Sequence, residues 1–259
     1  MKISTKRGAI GVIEAGSGGR LPIIFLHGVG SDKRVWAPQL AHFGRARRSL
    51  AFDYPGYGDS DLLDRATRDD FARSVLAAMD ALDIERAHIC GLSLGGVVAI
   101  AMHALAPSRC VSLIIADSFA VHPDGQAIHD RAVAASRSMT MRDLAEARSG
   151  LLLGSAVTDE LRRDVIETMA AIDPAAYRTG AEAVWLADQC DRVNGIAVPT
   201  LILVGDEDRI TPPPLSQELE RRIAGSTIEV IEHAGHLANA EQPAAFNAAI
   251  DRFLERVER

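Results

Sequence analysis

The sequence predicts an α/β protein: a mostly parallel central sheet flanked by helices and interrupted by a helical insertion. Three observations carry this. Short apolar runs alternate with amphipathic stretches of helical period. That rhythm stops after Phe119 and resumes at Val198 and Pro199. The chain has 259 residues, 47% of them hydrophobic, which is enough to bury a substantial core within one large domain.

The elements follow in order. Residues 10–14, with the start of the chain, are expected to form an antiparallel hairpin at one edge. Residues 21–26 (LPIIFL), 49–52, 87–91, 111–116 and 200–204 are short apolar runs and read as buried strands. Phe71, Val75, Met79 and Leu82 recur at spacings of three and four, and so do Leu94, Val97, Val98, Ala101 and Leu105. Such alternation predicts parallel strands with helices on both faces. From Phe119 to about Cys190 the pattern is helical, punctuated by Gly150, Gly154, Pro174 and Gly180. The expected division is therefore a core of residues 1–120 and 191–259 and a helical cap of residues 121–190. Thr227–Ile231 reads as the final strand. The last helix is expected near Pro243, a residue suited to a first helical position, with Phe246, Ile250, Phe253 and Val257 as its apolar stripe.

Charge and cysteine content narrow the function. Lys and Arg number 28 against 35 Asp and Glu, a net charge of −7. An acidic surface repels phosphate backbones, so no nucleic-acid partner is expected. The basic cluster Arg45, Arg47 and Arg48 reads as a solvated loop before a strand. Three cysteines without a CxxC spacing argue against a disulfide framework and for a reducing compartment. The N-terminus lacks an apolar signal core, and no apolar run approaches the ~18 residues of a membrane span. The expectation is a cytoplasmic protein with no membrane partner.

The chemistry centres on Gly91-Leu92-Ser93-Leu94-Gly95-Gly96, which fits G-x-S-x-G. The pattern alone is weak. Its setting, an incoming strand and an outgoing helix, is that of a nucleophile elbow. Small residues on both sides of Ser93 permit the tight turn, and the helix N-terminus favours developing negative charge. A serine at neutral pH needs a base, and the base needs an orienting acid. His236, in the loop between the last strand and the last helix, is the preferred base; His233 directly follows that strand and reads as its cap. His233 and His236 lack a third ligand at a sensible spacing, so no metal is expected, and no nucleotide loop or other cofactor motif occurs. The acid lies in Gly205-Asp206-Glu207-Asp208. Asp206 reads as a turn residue bonding its own backbone and Glu207 as solvent-facing, which favours Asp208. Asp117, at another strand end, and Asp206 are the alternatives. The glycines of His27-Gly28-Val29-Gly30 let the backbone approach a ligand, so the N–H groups of Val29 and Leu94 are candidates for one oxyanion. In the cap, Arg131, Arg137, Arg142 and Arg148 are candidate carboxylate ligands, and Trp185 is a candidate substrate contact.

Together these segments resemble the α/β-hydrolase superfamily. The resemblance runs from His27 to Pro243 and includes residues 53–60 (DYPGYGDS), the elbow, the 205–208 loop and Gly235-His236. It implies an α/β-hydrolase fold, places the acid at Asp208, and agrees with the chain order Ser93, Asp208, His236. The stretches 90–96 and 236–243 look most like 3-oxoadipate enol-lactonases and related small carboxylesterases. That likeness implies a small-molecule ester or lactone substrate and no cofactor. Serine at the elbow sets aside haloalkane dehalogenases, and a cap without lysine sets aside hydroxynitrile lyases. C–C bond hydrolysis of a β-diketone-like substrate and a non-catalytic ligand-binding role are the alternatives.

Overall fold

A computed structural model describes residues 1–63 and 66–259. Strand β1 (Lys2–Thr5) pairs antiparallel with the start of β2 (Gly8–Leu26), Lys2 opposite Gly11. The edge hairpin is therefore present. The separate strand expected at 21–26 is instead the far arm of β2. Val12 lies opposite Phe52 of β3 (Arg47–Phe52) and Ala15 opposite Ser49, a descending register. Ile23 then lies opposite Ser49 and Leu26 opposite Phe52, an ascending one. β3 is thus held between two arms of one chain segment. The reversal falls in the glycine-rich stretch 16–19, where Gly16 has a φ of +76° and a Cβ would overlap the Gly44 carbonyl.

Helix α1 (Ala37–Phe43) leads into β3, and α2 (Arg68–Ala81) follows it. Strands β4 (Ala87–Leu92) and β5 (Cys110–Ala116) then extend the sheet in parallel, with α3 (Leu94–Leu105) between them. Five helices come next: α4 (Gly125–Ser138), α5 (Met141–Leu152), α6 (Asp159–Ala170), α7 (Pro174–Trp185) and α8 (Cys190–Asn194). Thr140, Thr158 and Asp173 cap α5, α6 and α7 through side-chain oxygens that accept first-turn N–H groups. The sheet resumes in β6 (Thr200–Gly205) and, after α9 (Pro213–Arg222), ends in β7 (Thr227–Ile231). The chain closes with α10 (Ala238–Glu241) and α11 (Pro243–Val257), whose first residue is the expected proline.

The inner strands, β4, β5, β6 and the far arm of β2, are largely apolar because both their faces are covered. Ile24 and Leu26 belong to one buried cluster, Ile23 and Phe25 to the other. In β5, Leu113 and Ile115 face the first cluster, Ile114 and Ala116 the second. This period of two is the strand geometry itself. The first cluster includes the inner faces of α2 and α3, the second those of α1 and α11.

The basic cluster departs from expectation. Arg47 and Arg48 lie within β3 rather than in a solvated loop. Arg47 is 3% exposed and forks onto the Glu258 carboxylate, and Arg48 pairs with Glu14 at 2.7 Å. The chain's last turn supplies the acid that makes burial of Arg47 tolerable. Among the described residues, no helix is long and apolar enough to cross a membrane.

Candidate active site

Ser93 sits between β4 and α3 with a φ of +55°. A non-glycine residue enters that left-handed region at a cost of about 1–3 kcal/mol. The surroundings hold it there. A Cβ on Gly91 would overlap the Gly95 carbonyl, and one on Gly95 would overlap the Leu26 carbonyl. The Ser93 N–H donates to Ala116 O at 2.9 Å, and Ser118 Oγ donates to the Ser93 carbonyl at 2.8 Å. The end of β5 therefore anchors the turn that presents the Ser93 hydroxyl.

His236 follows β7 and is 4% exposed. Its Nδ1 donates to Asp208 Oδ2 at 2.9 Å. An ionised carboxylate only accepts, so this contact places the proton on Nδ1 and leaves Nε2 free to accept one. Thr211 Oγ1 donates to the same Asp208 oxygen at 2.7 Å. The other oxygen, Oδ1, accepts the N–H groups of Ile210 and Thr211 at 2.7 and 3.0 Å. Burial opposes the charge on Asp208, but the charge interaction with His236 and these hydrogen bonds outweigh it and bring the carboxyl down to about 2.

Asp117 has the opposite environment. It is fully buried with a φ of +46°, and its Oδ1 accepts the Gly205 N–H at 2.8 Å. Burial first, then the nearby Asp208 charge, push its pKa well above the usual carboxylate range. Its surroundings thus disfavour the charged form that would stabilise an imidazolium.

Two neighbouring expectations are corrected. Asp206 does not bond its own turn: its carboxylate accepts the Ala234 N–H at 3.2 Å and ties the acid loop to the His236 loop. Glu207 lies at the surface but is not free in solvent: it accepts the Ser155 N–H and hydroxyl at 2.6 and 2.7 Å. The first follows from the packing of β6 beside β7 and the second from the approach of the segment between α5 and α6, and sequence spacing displays neither. His233 is exposed, with a φ of +58°.

Ser93 and His236 line one cavity of about 530 Å³, which also touches Gly28, Val29, Arg148 and Trp185. Asp208 lies behind His236, outside that lining. The Gly28 backbone approaches the serine so closely that a Cβ there would lie 3.4 Å from Ser93 Cβ. Val29 follows Gly28, and Leu94 opens α3. Among the described residues, neither Val29 nor Leu94 has a backbone acceptor for its N–H. Lys33 secures the Gly28 loop from behind. Its ammonium meets Asp53 at 2.5 Å and Asp59 at 2.7 Å, and its N–H donates to Asp53 at 2.9 Å.

A second cavity of about 310 Å³ shares Arg148, Trp185 and Ile210 with the first and is also lined by Arg131. Trp185 is 3% exposed and stacks on Phe119 at 5.8 Å. Arg142 is engaged by Glu167 at 2.6 Å, whereas Arg148, among the described residues, has no carboxylate partner. Arg137 is exposed and lines neither cavity.

Sequence reasoning passed over Thr211, Lys33 and Glu241. Thr211 carried a usable signal, since a hydroxyl three residues after a loop aspartate can return to it. Lys33 and Glu241 carried none, because their partners are distant in the chain or are main-chain groups.

A sheet of this topology, with a serine turned out at the end of β4 and, on two later loops, a His–Asp pair whose histidine lines the same cavity, defines a hydrolase scaffold. The chain belongs to the alpha/beta hydrolase family, whose profile it matches over residues 23–249. It is 29% identical to 3-oxoadipate enol-lactonase 1 of Acinetobacter baylyi over 238 residues, covering 91% of this chain and 89% of that one. Its structure is similar to a thermophilic esterase from Thermogutta terrifontis, with a TM-score of 0.92, 26% identity, and coverage of 100% and 99%. The enol-lactonase from Burkholderia xenovorans is similar to the same degree, with a TM-score of 0.92, 26% identity, and coverage of 98% and 100%.

Proposed function

We propose that the protein hydrolyses a carboxylic ester or lactone through an acyl-enzyme on Ser93. The observation that carries this reading is the His236–Asp208 contact of 2.9 Å behind the cavity wall that Ser93 and His236 share. In the proposed cycle His236 Nε2 takes the Ser93 proton as Oγ attacks the carbonyl carbon. Asp208 holds the imidazole tautomer and stabilises the imidazolium. The Val29 and Leu94 N–H groups receive the oxyanion, each typically worth about 3–4 kcal/mol in barrier height. His236 then protonates the leaving alcohol. Water, activated by the same base, releases the acid and restores Ser93. Residues 121–190 act as the cap that shapes the acyl and alcohol sites, with Trp185 as a wall.

Within this class an acidic lactone is the narrower reading. Arg148 supports it, since its guanidinium, without a carboxylate partner among the described residues, lines the same cavity as Ser93. The relatives named as enol-lactonases point the same way.

The test is a panel of neutral esters and acidic lactones with wild type and Ser93→Ala, alongside labelling by a fluorophosphonate probe. The expected result is turnover and labelling in the wild type, with both lost in the variant. Substantial turnover by Ser93→Ala, or an unlabelled wild type, would sink the acyl-enzyme reading.

A further inference from the structure

The loop that carries His236 is held by groups that take no part in the proposed cycle. Three consecutive N–H groups, those of Gly235, His236 and Leu237, each have an acceptor. Gly235 and Leu237 donate to Glu241 Oε1 at 3.1 and 3.2 Å. His236 donates to the carbonyl of Leu152, the last residue of α5, at 2.8 Å. The other Glu241 oxygen, Oε2, accepts the N–H of Gly154 at 2.7 Å, two residues further along the strap between α5 and α6. One carboxylate therefore joins this strap to the main chain on both sides of His236. The fit leaves no slack: a Cβ on Gly154 would lie 2.9 Å from the Gly235 nitrogen and 3.1 Å from Glu241 Oε2. The acid loop grips the same strap. Glu207 takes both polar groups of Ser155, and Arg209 donates to the Gly150 and Leu153 carbonyls at 2.8 and 3.4 Å.

We propose that Glu241 is a positioning residue, fixing the main chain around His236 and keying that alignment to the seating of the α5–α6 strap. The proposal rests on the reading of His236 as the base. Its physical ground is donor–acceptor counting. Three N–H groups converge on two oxygens, and a carboxylate accepts at both. An amide accepts at one only. In Glu241→Gln the amide oxygen faces Gly235 and Leu237, where two donors wait, and its NH₂ meets the Gly154 N–H, donor against donor. Alanine removes both links. Misplacing a catalytic group by about 1 Å can cost about 100-fold in rate, so the two variants should separate.

The experiment compares Glu241→Ala and Glu241→Gln with the wild type in three ways. Thermal melts report folding. Turnover of p-nitrophenyl acetate reports kcat and KM. Proton NMR without substrate follows the imidazole N–H shared by His236 and Asp208. Glu241→Ala should lose about 10- to 100-fold in kcat, with KM within about threefold, and should shift or broaden the imidazole resonance. Glu241→Gln should fall between it and the wild type in both readouts. A folded Glu241→Ala with wild-type kcat and an unmoved resonance overturns the proposal. If alanine prevents folding, Glu241→Gln decides: wild-type kcat and an unmoved resonance overturn it, and a reduced kcat with a displaced resonance supports it. A wild type that turns over neither esters nor lactones and takes no fluorophosphonate label refutes the base reading separately, because the resonance comparison needs no turnover.

Discussion

Replacing Asp208 by asparagine changes one oxygen into an NH₂ group, and the surroundings decide which one. Asp208 Oδ1 accepts two main-chain N–H groups, from Ile210 and Thr211, which cannot turn away. The amide oxygen must occupy that position. The NH₂ then takes the place of Oδ2 and faces His236 Nδ1 and the Thr211 hydroxyl. The hydroxyl can rotate to accept, but the imidazole can accept only by moving its proton to Nε2. An Nε2–H cannot receive the Ser93 proton. The wrong tautomer and a missing countercharge together should cost about 10⁴ in kcat, or about 5–6 kcal/mol in barrier height. Kinetics on p-nitrophenyl acetate, with KM and a thermal melt recorded beside kcat, measure this. A folded Asp208→Asn within tenfold of wild-type kcat refutes the argument. A larger loss in Asp117→Asn than in Asp208→Asn would move the acid to Asp117.

Three further outcomes are expected. Asp117 has a folded pKa raised above its ordinary value of 3.8, so the stability linked to it is present below that value and is lost as pH rises through the folded pKa. Asp117→Asn is neutral throughout, so its Tm should gain on the wild type as pH rises from about 4 to 8; a pH-independent difference contradicts this. Lys33→Met strands Asp53, which is fully buried, and should cost about 3–5 kcal/mol in urea unfolding, partly recovered by adding Asp53→Asn. Arg148→Met should raise KM for an acidic lactone about tenfold or more and leave a neutral short-chain ester unchanged; equal effects on both would remove Arg148 as a carboxylate ligand.

The sequence by itself determined the alternation of strands and helices, the helical stretch between β5 and β6, and the setting of Ser93. These are local properties. Apolar runs of four to six residues and stripes at spacings of three and four follow from backbone periodicity, and G-x-S-x-G follows from the steric demands of one turn. The two arms of β2 around β3 were legible only as two separate strands, because their pairing with β3 lies in contacts the pattern does not encode. The three acids at 206–208 show the same divide. Spacing and family likeness favoured Asp208, but spacing could not show that Asp206 holds the His236 loop, that Glu207 holds Ser155, or that burial sets Asp117 apart. Charge and pKa depend on what surrounds a carboxylate after folding, and residues far apart in the chain supply those surroundings. The tertiary structure alone decided which carboxylate meets His236 and which acids merely tie loops together. Of the four cap arginines named as candidate carboxylate ligands, it alone left Arg148 in the cavity with Ser93 and without a carboxylate partner among the described residues.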